Sequence, residues 1–205
     1  MLVLASASPR RKELLAMAGV SFIVIPAGIA ERPLPGEGAG SFSARAAREK
    51  AQAVRRREAS AWVLGADTTV VLDGAILGKP ADENEAGRML RALSGREHRV
   101  LTAVALLKPD GALFGERLLQ TRVRFRRLSE ALIECYTATG EPRDKAGAYG
   151  IQGRGAMLVE SIDGSYTNIV GLPLPETLEM LEDAGLWQPL AGGAKNRTAP
   201  MAARS

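Results

Sequence analysis

The sequence predicts an α/β protein built on a mixed β-sheet with flanking helices, and three observations carry that expectation. Short apolar runs of strand type alternate with segments of helical period along the chain. Two tight connections, Asp73-Gly74 and Pro109-Asp110-Gly111, fold strands back on themselves, which argues against a purely parallel sheet. The 205 residues, 46% hydrophobic and 24% charged, suffice for one well-cored domain of ordinary composition.

Leu2-Val3-Leu4 opens as a strand and passes through small residues to Ser8-Pro9, a helix N-cap followed by proline at the first helical position. This helix stops near Gly19, residues Ser21 to Ile25 read as a second strand, and Pro26 to Gly40 is a proline- and glycine-rich loop. From Ser41 to about Glu58 the alanine-rich pattern through Phe42, Ala47, Ala51 and Val54 is helical. Trp62 to Ala66 is a short buried-type strand leading into Asp67–Leu72, and Ala75 to Gly78 returns from the hairpin to Lys79-Pro80. Asp82, with Glu85 three residues on, caps a helix whose apolar face is Met89, Leu90 and Leu93 and which Gly95 closes.

Strands follow at Val100 to Leu107 and about Glu116 to Phe125. In the helix Ser129 to Thr139, helical spacing places Cys135 among core positions with Leu132 and Tyr136. A glycine-rich stretch from Lys145 to Gly155 precedes a strand at Met157 to Ser161, and the last helix runs Pro175 to Ala184. Residues 1–190 read as a single domain. Residues 191–205, polar and without periodicity, read as a disordered tail.

Composition excludes several classes. Lys and Arg number 27 against 23 Asp and Glu, a net +4, which suits an anionic ligand but is no nucleic-acid signature without clustering on one face. The arginines of Thr121 to Arg127 alternate on one strand face without interleaved exposed aromatics, so a solvated face is expected and no nucleic-acid partner. The single Cys135 fits a reducing cytosol, no apolar run approaches the ~20 residues of a membrane span, and the N-terminal basic residues follow the apolar stretch. A cytoplasmic protein without a membrane partner is expected. With His98 the sole histidine, a histidine metal cage or a Ser-His-Asp triad lacks material, whereas an oxygen-liganded divalent cation does not.

Chemistry concentrates at four places. Arg10, Arg11 and Lys12 occupy the first turn of a helix, where the macrodipole disfavours cations by about 0.3–1 kcal/mol each unless a polyanion binds there. Asp67, read as the end of an apolar strand, is either a metal ligand or general base, or an acceptor for nearby N–H groups. Lys79, held by Pro80, projects to the same end of the sheet or is a solvated turn lysine. Ala148 to Gly155 surrounds Gln152 with glycines that would let backbone approach a flat ligand, while its amide both donates and accepts.

As a set these residues resemble the Maf family, the septum-formation-inhibitor-like nucleotide pyrophosphatases. The matching strings are Leu4-Ala5-Ser6-Ala7-Ser8-Pro9-Arg10-Arg11, Ala47-Arg48-Glu49-Lys50-Ala51, Gly65-Ala66-Asp67-Thr68, Leu77-Gly78-Lys79-Pro80-Ala81-Asp82 and Leu93-Ser94-Gly95. Asp144-Lys145-Ala146-Gly147-Ala148-Tyr149-Gly150-Ile151-Gln152-Gly153 and Gly164 to Pro173 complete them. The resemblance implies an elongated, curved mixed sheet with two lobes around a cleft, like the inosine-triphosphate pyrophosphatases. It implies hydrolysis of a nucleoside triphosphate to monophosphate and pyrophosphate with Mg²⁺ or Mn²⁺.

By that similarity Asp67 is the proton acceptor, Ser6, Arg10, Arg11, Lys50 and Lys79 bind phosphates, and Glu31 with Asp67 holds metal. Arg11, Thr68 and Gln152 look like the dTTP/UTP-preferring branch, acting on modified uridine triphosphates as well. The alternatives are a 7-methyl-GTP-type pyrophosphatase and a non-catalytic nucleotide-binding regulator of cell division. A homodimer is a further expectation.

Overall fold

The computed structural model describes residues 1–189, so the tail expected at 191–205 lies outside the described residues. The chain runs β1 (Leu2–Leu4), α1 (Pro9–Met17), β2 (Ile23–Val24), α2 (Ala39–Arg55), β3 (Trp62–Leu72), β4 (Ala75–Leu77) and α3 (Glu83–Leu93). It continues through β5 (Glu97–Leu107), β6 (Leu113–Phe125), α4 (Glu130–Thr137), β7 (Val159–Asp163), α5 (Tyr166–Val170) and α6 (Leu174–Asp183). The strands form one sheet in the order β2-β1-β3-β5-β6-β7, with β4 attached to β3. β1 pairs in parallel with β2 and β3, and all other pairings are antiparallel, so the sheet is mixed as expected.

The pairing of β3 leaves an opening in the sheet. One edge of β3 pairs continuously with β5, from Val63 to Val71. The other pairs with β1 only at Trp62–Leu64 and with β4 only at Val70–Leu72. Between them Gly65 to Thr69 face a gap in the sheet. Asp67 is therefore mid-strand, correcting the expectation that it ends one. The strand that ends there is β1, which leaves the sheet beside Leu64 and turns through Ala5-Ser6-Ala7 into α1.

Local chemistry explains most elements. Asp73 and Gly74, with φ of 50° and 84°, make the left-handed turn that an Asp-Gly hairpin favours. Asp82 accepts from the Glu85 N–H at 2.7 Å, capping α3, and Glu85 reaches back to the Ala81 N–H. The 153–158 stretch coils into 3-10 turns, so β7 begins at Val159, two residues later than its apolar onset suggests. In α4 the buried positions are Ile133 and Tyr136. Cys135 is exposed, correcting the core assignment: the helix packs on its Ile133/Tyr136 stripe, and Cys135 falls to one side of it.

Two apolar clusters flank the cleft. One joins α3, α4 and the β5–β6 ends around Leu90, Leu93, Phe125, Tyr136 and Tyr149. The other packs β1, α1 and α6 around Leu4, Leu15, Leu172 and Leu181. The arginine-rich face of β6 is solvated as predicted, with Arg122 paired to Asp163 and Arg124 to Glu160 across to β7.

Candidate active site

The gap beside Gly65–Thr69 opens into a cavity of about 480 Å³ between the two clusters. Ser6, Arg10, Arg11, Glu31, Lys50, Asp67, Thr68, Lys79 and Gln152, all singled out from sequence, line it. They come from α1, α2, β3 and four loops, so only the tertiary structure brings them together.

Gly65 is what lets α2 reach β3. A Cβ there would lie 2.1 Å from the Ala47 carbonyl oxygen, so a side chain would force the helix away. With the helix in place, Lys50, one turn beyond Ala47, extends over Asp67. Its Nζ donates to Asp67 Oδ1 at 2.8 Å and to the Ala66 carbonyl at 3.2 Å, and pairs with Glu31 Oε2 at 2.7 Å. An ammonium has three N–H donors, and this one has three acceptors around it.

Lys50 thus binds two carboxyl groups that lie close enough to share a proton. Burial and the neighbouring Asp67 raise the Glu31 carboxyl above its ordinary value. Burial would raise Asp67 too, but Lys50, the hydrogen bond with Glu31 and the Arg11 guanidinium outweigh it and hold Asp67 below the usual carboxylate range. Asp67 Oδ2 also accepts from Thr69 Oγ1 at 3.3 Å. The ionised form of Asp67 is the one the site is built around.

The first turn of α1 resolves the cation conflict. Arg11 is buried, at 8% exposure, with Nε donating to the Gly171 carbonyl at 2.7 Å. Its other nitrogens donate to Ser6 Oγ and Thr68 Oγ1, each at 3.0 Å. Two guanidinium N–H groups remain beyond these bonds. Ser6 Oγ accepts from both Arg11 and the Ser8 N–H, which leaves its own proton to donate. Ser8 sits at the N-cap position, but its side chain makes no capping bond. Arg10 also lines the cavity, 3.9 Å from Asp144, while Lys12 is exposed and takes no part.

Thr68, held by Arg11, also bonds Thr102 Oγ1 at 3.0 Å, and Thr102 donates to the Asn168 carbonyl at 2.8 Å. Lys79 and Gln152 lie on the cavity wall from the 78–80 turn and the 149–153 loop. Sequence reasoning missed Asp144, Lys145 and Tyr149 as wall residues, and the backbone of Gly171 as the Arg11 acceptor. Asp144-Lys145, charges at the mouth of a glycine-rich stretch, was the available signal. Gly171 offered none, because a carbonyl acceptor is not written in a side chain.

Glu31 and Asp67 offer hard oxygen donors on one side of the cavity. Mg²⁺ takes one or two carboxylates and completes its shell with phosphate oxygens and water, so the residues present fit such an ion. Among the described residues no group of three or more His, Cys, Asp or Glu gathers.

A mixed-sheet α/β protein whose cleft sets a carboxylate pair opposite buried and half-buried arginines is of the class that binds and cleaves phosphoanhydrides. The chain belongs to the Maf family, whose Maf-like protein description it matches over residues 1–184. It is 53% identical over 186 residues to a dTTP/UTP pyrophosphatase of Geobacter metallireducens, covering 90% of this chain and 96% of that one. It is equally 53% identical to a dTTP/UTP pyrophosphatase of Myxococcus xanthus, over 91% of this chain and 93% of that one. A crystal structure of the nucleoside-triphosphatase / dITP/XTP pyrophosphatase of Mycobacterium abscessus superposes with a TM-score of 0.43 at 16% identity, covering 90% and 95% of the two chains.

Proposed function

We propose that this protein hydrolyses dTTP, UTP and modified uridine triphosphates to the monophosphate and pyrophosphate, removing unwanted nucleotides from the pool. The observation that carries the reading is a cavity lined by Asp67 and Glu31, bridged by Lys50, together with Arg10, Arg11 and Lys79. The 53% identity to proteins of that printed activity supports it.

Water attacks the α-phosphorus, the bond to the β-phosphate bridging oxygen breaks, and Asp67 receives the proton of the attacking water. Arg10, Lys79 and the free N–H groups of Arg11 offset charge on the triphosphate and on the leaving pyrophosphate, while Ser6 donates its hydroxyl proton to a phosphate oxygen. Lys50, expected from the resemblance to bind phosphate, has its three N–H donors directed at Asp67, Glu31 and the Ala66 carbonyl, and in this reading it holds Asp67 ionised and in place. A divalent cation, Mg²⁺ or Mn²⁺, held by Glu31 and Asp67, would supply further charge neutralisation on the phosphates. Thr68, fixed by Arg11 and Thr102, and Gln152 face the nucleoside. A glutamine amide accepts from N3–H and donates to O4 of uracil or thymine.

Pyrophosphate release from purified protein across dTTP, UTP, CTP, GTP and 7-methyl-GTP tests the reading. dTTP and UTP should give the highest kcat/KM. Release of orthophosphate alone, or no turnover with any triphosphate and Mg²⁺ or Mn²⁺, would refute it.

A further inference from the structure

Gln152 sits in a loop whose hydrogen bonds to the described residues fall on its backbone. The Gly150 N–H donates to Tyr136 Oη at 3.3 Å. The Arg154 and Gly155 N–H groups donate to the two oxygens of Glu141, at 3.3 and 3.2 Å. Tyr136 Oη in turn donates to Glu141 Oε1 at 3.0 Å, which closes a ring from α4 through the 141–144 turn to both ends of the loop. The ring is tightly packed: a Cβ on Gly155 would lie 2.0 Å from the Gly150 carbonyl oxygen and 2.8 Å from Tyr136 Oη. The loop is thus folded in half over the tyrosine hydroxyl, with Gln152 near its tip. Tyr149, which precedes the loop at Gly150, is buried and bonds His98 at 2.7 Å.

Neither Glu141 nor Tyr136 lines the cavity. Neither can touch a ligand there, yet together they fix the backbone that carries the amide. We infer that Glu141 and Tyr136 are positioning residues for nucleobase selection, clamping the 150–155 loop so that Gln152 meets the base at one depth and angle. The inference rests on the reading above, in which Gln152 faces the base. The carboxylate suits the role because it accepts from two backbone N–H groups and a hydroxyl at once, which no neutral side chain of its size can do. The tyrosine suits it because its single oxygen both donates to Glu141 and accepts from Gly150.

The test compares kcat/KM for UTP and for 7-methyl-GTP in the wild type, Glu141→Gln, Tyr136→Phe and Gln152→Ala, with thermal unfolding of each. Tyr136→Phe keeps the buried ring and removes only the hydroxyl. Glu141→Gln keeps the shape but sets an amide NH₂ against a backbone donor, so it serves if the tyrosine variant fails to fold. The expected result is that either variant lowers the UTP over 7-methyl-GTP ratio about tenfold, from the loss of one buried partner, with KM for UTP rising more than kcat falls. Gln152→Ala should lower the ratio at least as much.

If Gln152→Ala lowers the ratio and both clamp variants leave it unchanged, the clamp is structural only and the inference is overturned. The same holds if they lower both substrates equally in step with their melting temperatures. An unchanged ratio in Gln152→Ala removes Gln152 from base reading, and the selection role of the clamp falls with it. Pyrophosphate release from UTP by that variant would still stand as support for the activity itself.

Discussion

Lys50→Met is the sharpest perturbation the structure offers. The substitution keeps a buried unbranched stem but removes the ammonium that pairs with Asp67 at 2.8 Å and Glu31 at 2.7 Å. Two carboxyl groups would then face each other with the Arg11 guanidinium as a remaining counter-charge on Asp67. Breaking a buried ion pair by removing one partner costs about 3–5 kcal/mol. The lower end applies because the Glu31 side chain is 35% exposed and water screens it. In a chain of this size 1 kcal/mol moves the melting temperature by about 2–4 °C, so a fall of roughly 6–12 °C at pH 7 is expected. A proton taken up by the pair offsets part of that and leaves Asp67 less able to accept another. kcat should therefore fall, and the acidic limb of the pH–rate profile should move to higher pH. Thermal unfolding and kcat for dTTP from pH 5 to 9 check both. A variant with unchanged melting temperature and an unmoved acidic limb would refute the idea that Lys50 holds Asp67 ionised.

Three further outcomes are expected. Asp67→Asn preserves shape and the contact to Lys50 but removes the carboxylate proposed as proton acceptor, so kcat should fall about 10²-fold or more while triphosphate binding measured by calorimetry persists. Gln152→Glu puts a carboxylate on the cavity wall and loses the N–H donor proposed to reach O4, so kcat/KM for dTTP and UTP should drop about 10- to 100-fold, measured beside CTP and 7-methyl-GTP. His98 is buried and its imidazole is pushed down to about 4 from 6.5 by desolvation. The folded state therefore resists protonation, and stability present above pH 6.5 is lost as pH falls from 6.5 towards 4, by about 3 kcal/mol in all. Urea unfolding of the wild type and His98→Gln at pH 7 and 4.5 should show the smaller loss in the variant.

Elements whose causes are local were legible in the chain before it folded. Asp73-Gly74, the Asp82 cap and the apolar runs of β3, β5 and β6 each need only neighbouring residues to act. The sequence also marked the cavity residues, because their oddity is local too: cations on a helix N-terminus, a carboxylate in an apolar strand, an amide among glycines.

Burial and convergence were decided by tertiary structure. Asp67 read as a strand end because its surroundings turn polar, but β3 runs on, and the opening beside it exists because β1 is too short to cover that edge. Cys135 looked like core by spacing, whereas the side of α4 that packs is set by what lies beneath it. Of the three cations on α1, only the fold could choose Arg11 for burial, since its acceptor is a carbonyl 160 residues away. A one-dimensional pattern records which side chains are chemically unusual. Which of them share a cavity depends on strand order and on close approaches such as Gly65 against Ala47, and those are settled only when the whole sheet is assembled.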